Sequence, residues 1–293
     1  LPEAQSEYYL GNLLLHQGRL DEAETHLQKS SQADTQFTSG QLAFSALRLR
    51  QRKPEEAKKY LPEITSREPN NYLGHFYTGQ IALSEEKPEA AITSFRQAVK
   101  LKPDLAFLHA ELGIALSNAG LEQEAATSFE QAARLDPDNS ALYRTGSLTF
   151  LNLARGDKAA RFAKLYLARE GWHATSSAYM AFVAYFGYRQ MKSSAAAEEM
   201  LKSLVEKGDT QSWPYPVVQY LQRQLSAEQL LKLAKDNDEL TEAHAYLGMD
   251  LSLAGNREEA LTHLYWVRDH GNKGFTEYPM SLAEIKRLES KGK

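Results

Sequence analysis

The chain has 293 residues, 25% of them charged, with a formal net charge of −4 and no cysteine. So small an acidic surplus argues against a nucleic-acid partner, because neutralising phosphates takes a clear basic excess. The lack of cysteine excludes disulfides, thiolate metal sites and a cysteine nucleophile, while a cysteine-free chain suits cytosol or periplasm equally. The most apolar run, Ala178 to Tyr188, is too short to span a bilayer, so no transmembrane segment is expected. The chain begins at Leu1 rather than Met and shows no signal-peptide pattern, which reads as an excised segment or a processed form.

In chain order, a first pair of amphipathic helices is expected over about Ala4 to Phe37, where Gly11, Ala23 and Leu27 stand 34 residues before Ser45, Ala57 and Leu61. Asp21 and Glu22 open its second helix, at the positive end of the helix dipole. A second pair covers about Thr38 to Asn71, and Pro69, Pro103 and Pro137 mark three boundaries at one spacing. Pro54 and Pro88 fall in the first turn of a helix, where a missing N–H costs nothing. The glutamates after them recur at helix starts, which makes them dipole partners rather than catalytic carboxylates. Arg48, Arg50, Arg52 and Lys53 read as a solvated basic helix end.

The clearest stretch is Leu105 to Pro137. Leu108, Leu112 and Leu116 recur at a four-residue step, and Gly113 lets the partner helix approach closely. Ala125, Phe129 and Ala132 form the matching face, with a turn at Asn118-Ala119-Gly120. A shift of 34 residues carries Gly113, Ala125, Phe129, Ala132 and Pro137 onto Gly79, Ala91, Phe95, Ala98 and Pro103. A lone hairpin cannot bury both its faces, so this register implies a stack. The pattern His109-x-x-Leu112-Gly113-x-x-Leu116, then Ala125-x-x-x-Phe129 and Pro137, resembles the tetratricopeptide repeat (TPR) family. The resemblance implies an all-α fold: a right-handed TPR superhelical solenoid of antiparallel helix hairpins whose concave face binds peptides or proteins.

Beyond Pro137 the pattern loosens. Asp138-Asn139-Ser140 caps a helix to about Leu153, and a second runs from Gly156 to Arg169. Trp172 to Lys207 forms a hairpin loaded with Tyr179, Phe182, Tyr185, Phe186 and Tyr188; the first, second and fourth share a face, which favours core packing. From Gly208 to Glu239 the chain is least repeat-like: Trp213-Pro214-Tyr215-Pro216 leads into a short helix over Val217 to Gln222, and Ser226 with Gln229 forms a capping box. A standard repeat returns from Thr241 with Leu247, Gly248, Leu251, Gly255, Ala260 and Leu264. A last helix, about Tyr278 to Glu289, is expected to cap the stack with Leu282, Ile285 and Leu288 inward and Glu284, Lys286, Arg287 and Glu289 outward. This divides the chain into five repeats over 1–171, the fifth degenerate, aromatic-rich hairpins over 172–240, and a C-terminal repeat with its capping helix over 241–293.

Gly208-Asp209, Trp213, Val217 to Leu221, Leu225 to Leu230 and the Tyr246-Leu247-Gly248 repeat resemble the end of the bacterial outer-membrane lipoprotein NlpI and its relatives. That resemblance covers roughly Glu206 to Leu288 and implies an adaptor role in a bacterium, with the periplasm slightly favoured over the cytoplasm. The lipidated cysteine of those relatives is absent.

No nucleophile elbow, phosphate loop, dinucleotide fingerprint or zincin motif occurs, so no enzyme activity and no cofactor are expected. His75, His109 and His244 fall where the TPR family often has Trp. Neighbouring helices lie about 8–10 Å apart, too far for a shared zinc whose ligand nitrogens sit about 2 Å from the metal, so no metal site is expected. Carrying the TPR groove positions over by register gives Tyr8, Asn12, Leu42, Leu73, Phe76, Gln80, Phe107, Ile114, Arg144 and Leu148 as an apolar, aromatic peptide-binding face with few charges. The expected function is a non-enzymatic scaffold or adaptor for a protein or peptide with apolar anchors, with a homodimer left open. The alternative is the regulatory or substrate-docking segment of a larger multidomain enzyme, such as a glycosyltransferase or kinase.

Overall fold

A small residue on one helix facing a large one on the next decides how each hairpin closes. The structure, a computed structural model, describes residues 2–290, which are helical with no strand among them. They form two compact units, one ending at Pro137 and the other beginning at Asp138.

The first unit pairs α1 (Glu3–His16) with α2 (Leu20–Ala33), and α3 (Thr38–Arg50) with the broken helix α4 (Pro54–Ala57) and α5 (Leu61–Arg67). It then pairs α6 (Tyr72–Ser84) with α7 (Pro88–Leu101), and α8 (Ala106–Asn118) with α9 (Glu122–Leu135). A Cβ on Gly11 would lie 2.7 Å from the Leu27 side chain, on Gly79 2.7 Å from the Phe95 ring, and on Gly113 3.0 Å from the Phe129 ring. Ala23, Ala57, Ala91 and Ala125 are fully buried at the 34-residue step, as are Phe95 and Phe129. Each hairpin then closes its outer stripe on the next. Leu14, Leu15, Ala23 and Leu27 share one core with Ala43, Phe44 and Leu47 of α3, and Leu42, Ala57, Leu61 and Ile64 share another with Ile81 of α6.

The same step governs the turns. Gly18, Arg52, Glu86, Gly120 and Ala154 all take positive φ, between 55° and 76°. Each lies 34 residues after the one before, although only two are glycine.

Two expectations for this unit are corrected. The second helix of the second hairpin is broken at Lys58–Tyr60, because Pro62 cannot donate to the carbonyl four residues earlier and its ring crowds that carbonyl; the helix restarts with Pro62 in its first turn. Arg48 is not part of a solvated helix end. It is buried over the Phe44 ring and paired with Glu24 (2.9 Å) and Glu56 (3.0 Å).

The second unit pairs α10 (Ser140–Asn152) with α11 (Gly156–Glu170), α12 (Ser177–Gln190) with α13 (Ser194–Lys207), and α14 (Tyr215–Leu221) with α15 (Ala227–Leu233). It ends with α16 (Asn237–Ala254), α17 (Arg257–His270) and α18 (Glu277–Ser290). Residues 180–187 of α12 are buried on every side, as a helix in the middle of a packed unit must be. Phe182 and Phe186 pack on Tyr246 of α16, with ring centroids 4.9 and 5.9 Å away. Asn139 caps α10, and Ser226 with Gln229 completes a capping box on α15.

Here too the structure departs from expectation. α14 begins at Tyr215, with Pro216 in a first turn that needs no N–H. α16 begins at Asn237, where Asp236 accepts from the backbone N–H groups of Asp238 and Glu239. In α18, Leu282 is exposed and Glu284 is buried. The helix turns Glu277, Ser281, Glu284, Ile285 and Leu288 inward because α16 offers it Tyr246 and Ser252 as donors to Glu277 and Glu284.

Two variants test these constraints by denaturant unfolding. Gly79→Ala lowers stability by about 1–3 kcal/mol through overpacking, and Phe95→Leu in the same chain recovers part of the loss. Ala154→Gly raises stability by about 0.5–1 kcal/mol, because relief of left-handed strain outweighs the added freedom of the unfolded chain.

Candidate functional site

In the first unit the first helices of consecutive hairpins leave a groove of about 490 Å³ between α3, α6 and α8. Its wall includes Ala46 and Leu49 of α3, Phe76, Gln80 and Leu83 of α6, and Glu111 of α8. Phe76 packs edge-on against Phe107 (5.2 Å between centroids) and also touches the buried Phe95 (6.1 Å). Phe107 is 38% exposed. Phe76 is thus half core and half groove, whereas Phe107 presents its ring to solvent.

The groove is less apolar than the sequence suggests. Arg50 stands at its wall, exposed; its Nη1 donates to the carbonyl of Leu15 (2.7 Å), and it pairs with no carboxylate among the described residues. Across from it Glu111 is half-buried, and burial raises its carboxyl above the ordinary range; its only aid is a long hydrogen bond from Gln80 Nε2 at 3.5 Å. Desolvation also raises the Tyr77 hydroxyl. A surface with an aromatic floor, one cation without a carboxylate partner and one poorly solvated acid can bind an apolar side chain and a polar group beside it.

The other expected residues of this unit lie elsewhere on its surface or inside it. Leu42 is 5% exposed and sits in the core with Ala57, Leu61 and Ile64, so it has no free surface to offer. Leu73 packs on that core and Tyr8 on the preceding one, where it also meets Phe37 edge-on. Asn12 and Ile114 are half-buried. Arg144, exposed, and Leu148, half-buried, belong to the second unit. Sequence reasoning missed Arg50 and Glu111. The repeat register carried the signal: Arg50 and Ser84 are one step apart, as are Tyr77 and Glu111, and all four line the groove.

His75 and His109 each turn Nε2 to the carbonyl of the proline six residues earlier, at 2.9 and 2.8 Å. Among the described residues no three metal-ligating side chains converge. In the second unit His244 and His263 face each other through Nδ1 at 2.9 Å, and burial, with the charges of His263 and His270, pushes His244 down to about 4.

The second unit also buries acids along α16. Asp250 accepts from Arg189 (2.8 Å), Arg223 (2.8 Å) and the Tyr220 hydroxyl (3.1 Å), which ties α12 and α14 to α16. Two turns earlier Glu242 accepts from Tyr179 (3.1 Å) and from the Trp213 indole (2.7 Å). Burial first, then the charge of Glu277, pushes the Glu242 carboxyl up to about 7. These groups are satisfied by one another and serve as fastenings.

Against known proteins, one tetratricopeptide repeat family model matches residues 42–106 and a second matches residues 108–139. The chain carries tetratricopeptide repeats. Solved structures agree on the TPR fold. A thermophilic TPR protein of Thermus thermophilus is 18% identical, with 63% of this chain and 98% of that one covered and a TM-score of 0.52. The pilF protein of Pseudomonas aeruginosa is 16% identical, with 76% and 98% covered and a TM-score of 0.61. No curated protein matches the sequence. The TPR groove described above lies within the matched repeats, and no helix of the described residues is long and apolar enough to cross a membrane.

The Glu242 carboxyl gives a pH prediction. Its ordinary value is 4.5 and its folded value about 7, so the protonated form is favoured by folding. That contribution is complete below pH 4.5 and is lost as the pH rises through 7. Glu242→Gln should therefore match the parent at acid pH below 4.5 and exceed it by about 3 kcal/mol at pH 8. Chemical denaturation at both pH values measures the difference, and an equal difference at both refutes it.

Proposed function

We propose that the chain is a non-enzymatic scaffold that holds a peptide or protein segment in the TPR groove of its first unit. The observation that carries this reading is Phe107: a large ring more than a third exposed, standing edge-on to Phe76 at the rim of a groove whose wall holds Arg50 and Glu111. An apolar anchor seated on Phe107 and Phe76 supplies affinity by burial, at about 25 cal/mol per Å² before association costs. A carboxylate or backbone carbonyl next to that anchor meets Arg50 and sets register. Such a segment is an amphipathic helix or an extended peptide with one apolar side chain flanked by an acceptor. The NlpI-like stretch from Glu206 to Leu288 supports the finer reading, an adaptor of the bacterial envelope.

The test is affinity capture from a bacterial lysate with the parent chain beside Phe107→Ala, Arg50→Glu and Phe76→Ala/Phe107→Ala, with helicity checked by circular dichroism. Phe107→Ala is the decisive variant because its ring is the more exposed of the two. Capture should fall about tenfold or more, equivalent to at least about 1.4 kcal/mol, in each folded variant. An unchanged set of captured proteins in all three removes the groove as the binding site.

A further inference from the structure

The second unit holds a cavity of about 560 Å³ between α12, α13 and the end of α14. Sites for small molecules run to about 300–1,000 Å³. Part of its lining is apolar: Ala197, Leu201 and Leu221 are buried, and so is Tyr185 beside them. Arg189 and Arg223 also line it, and both reach Asp250 of α16.

The two arginines use their donors differently. Asp250 is saturated: Oδ1 accepts from Arg189 Nη1 (2.8 Å) and Arg223 Nη2 (3.3 Å), and Oδ2 accepts from Arg223 Nη1 (2.8 Å) and the Tyr220 hydroxyl (3.1 Å). Arg189 is not saturated. Its Nη1 serves both Asp250 and the Tyr185 hydroxyl (2.7 Å), while its Nε and Nη2 have no partner among the described residues and are open to solvent. These two N–H groups are parallel and form the edge of a guanidinium that grips both oxygens of one carboxylate. Arg268 uses the same edge on Asp269, at 2.7 and 3.0 Å. In Arg189 the edge is held ready, because Nη1 is fastened and the guanidinium lies over the Tyr185 ring, 5.7 Å from its centroid.

Charge points the same way. Two guanidiniums share one buried carboxylate, which leaves one positive charge without a buried counterpart. The other acid of the lining, Glu198, is exposed and forms no ion pair among the described residues. A single surplus charge beside an exposed glutamate suits a monoanion better than a phosphate dianion.

We propose that this cavity binds a carboxylate carried on a short apolar group. Arg189 takes both oxygens through Nε and Nη2, Arg223 adds its field, and the apolar group lies on Leu201 and Leu221. A free aliphatic acid and the C-terminal end of a peptide both present this chemistry. The site lies in the second unit and is independent of the groove in the first.

The test is calorimetric titration of the full chain at neutral pH with four probes: 4-methylpentanoate as the free acid, N-acetylleucine as the chain end, N-acetylleucinamide and inorganic phosphate. Saturable binding of an acid, with the amide and phosphate at least about tenfold weaker, supports the proposal, and the tighter acid names the source. Arg189→Lys keeps a charge for Asp250 but loses the fork, and should weaken the acid about tenfold. Glu198→Gln changes an exposed side chain only and should tighten the acid about two- to fivefold, whether or not Arg189→Lys folds. Phe107→Ala should leave the affinity unchanged. Failure of both acids to bind, an amide that binds as well as the acid, phosphate that binds more tightly than either acid, or an affinity indifferent to Glu198→Gln overturns it.

Discussion

The close contact between a small residue on a first helix and a large one sixteen positions later is the constraint from which the packing follows. Gly11 on Leu27, Gly79 on Phe95, Gly113 on Phe129 and, in the second unit, Gly248 on Leu264 leave no room for a Cβ between the paired helices. Once that contact is made, the second helix must keep alanine one turn earlier, as Ala23, Ala57, Ala91, Ala125 and Ala260 do. The first helix keeps its remaining faces for the neighbouring hairpin and for the groove. The broken hairpin obeys the same rule. Its helix is interrupted over Lys58–Tyr60 and resumes at Leu61, the residue one repeat step after Leu27.

The second unit solves its packing differently. Gly248 still admits Leu264, but α16 also buries Glu242, Tyr246 and Asp250 along one stripe and fastens them to α12, the Trp213 segment, α14 and α18. Buried carboxylates held by arginine, tyrosine and indole donors tolerate few alternative partners. They add little net stability compared with an apolar core, and in exchange they define which helix faces meet. This explains why a stretch that departs from regular repeats is still closely packed.

The 34-residue step was legible because glycine, alanine and phenylalanine recur where the chemistry of close packing leaves few substitutes. Helix ends were legible where a cap or a proline marks them, as at Pro54, Pro88, Asn139 and Ser226. What escaped was polar burial. Arg48, Glu284 and Asp250 look like surface residues to any hydrophobic pattern, because each needs a partner distant in sequence: Glu24 for Arg48, Ser252 for Glu284 and Arg189 for Asp250. The groove was legible in part: Phe76 and Gln80 fall at positions the family pattern assigns to it, whereas Arg50 and Glu111, at the register positions of Ser84 and Tyr77, lie outside that pattern. Leu42 stands one repeat step before Phe76, yet it belongs to the core with Ala57, Leu61 and Ile64.

The recurring left-handed turn residue has a consequence for how such chains diverge. Glycine is the natural occupant of that backbone conformation, yet Arg52, Glu86 and Ala154 hold it as firmly as Gly18 and Gly120. The closed hairpin, and not the residue's own preference, imposes the conformation. Side-chain identity at the turn is then free to drift while the backbone keeps count. The family models lose the pattern after residue 139, but the turn still arrives on time at Ala154. In this chain the geometry outlasts the spelling.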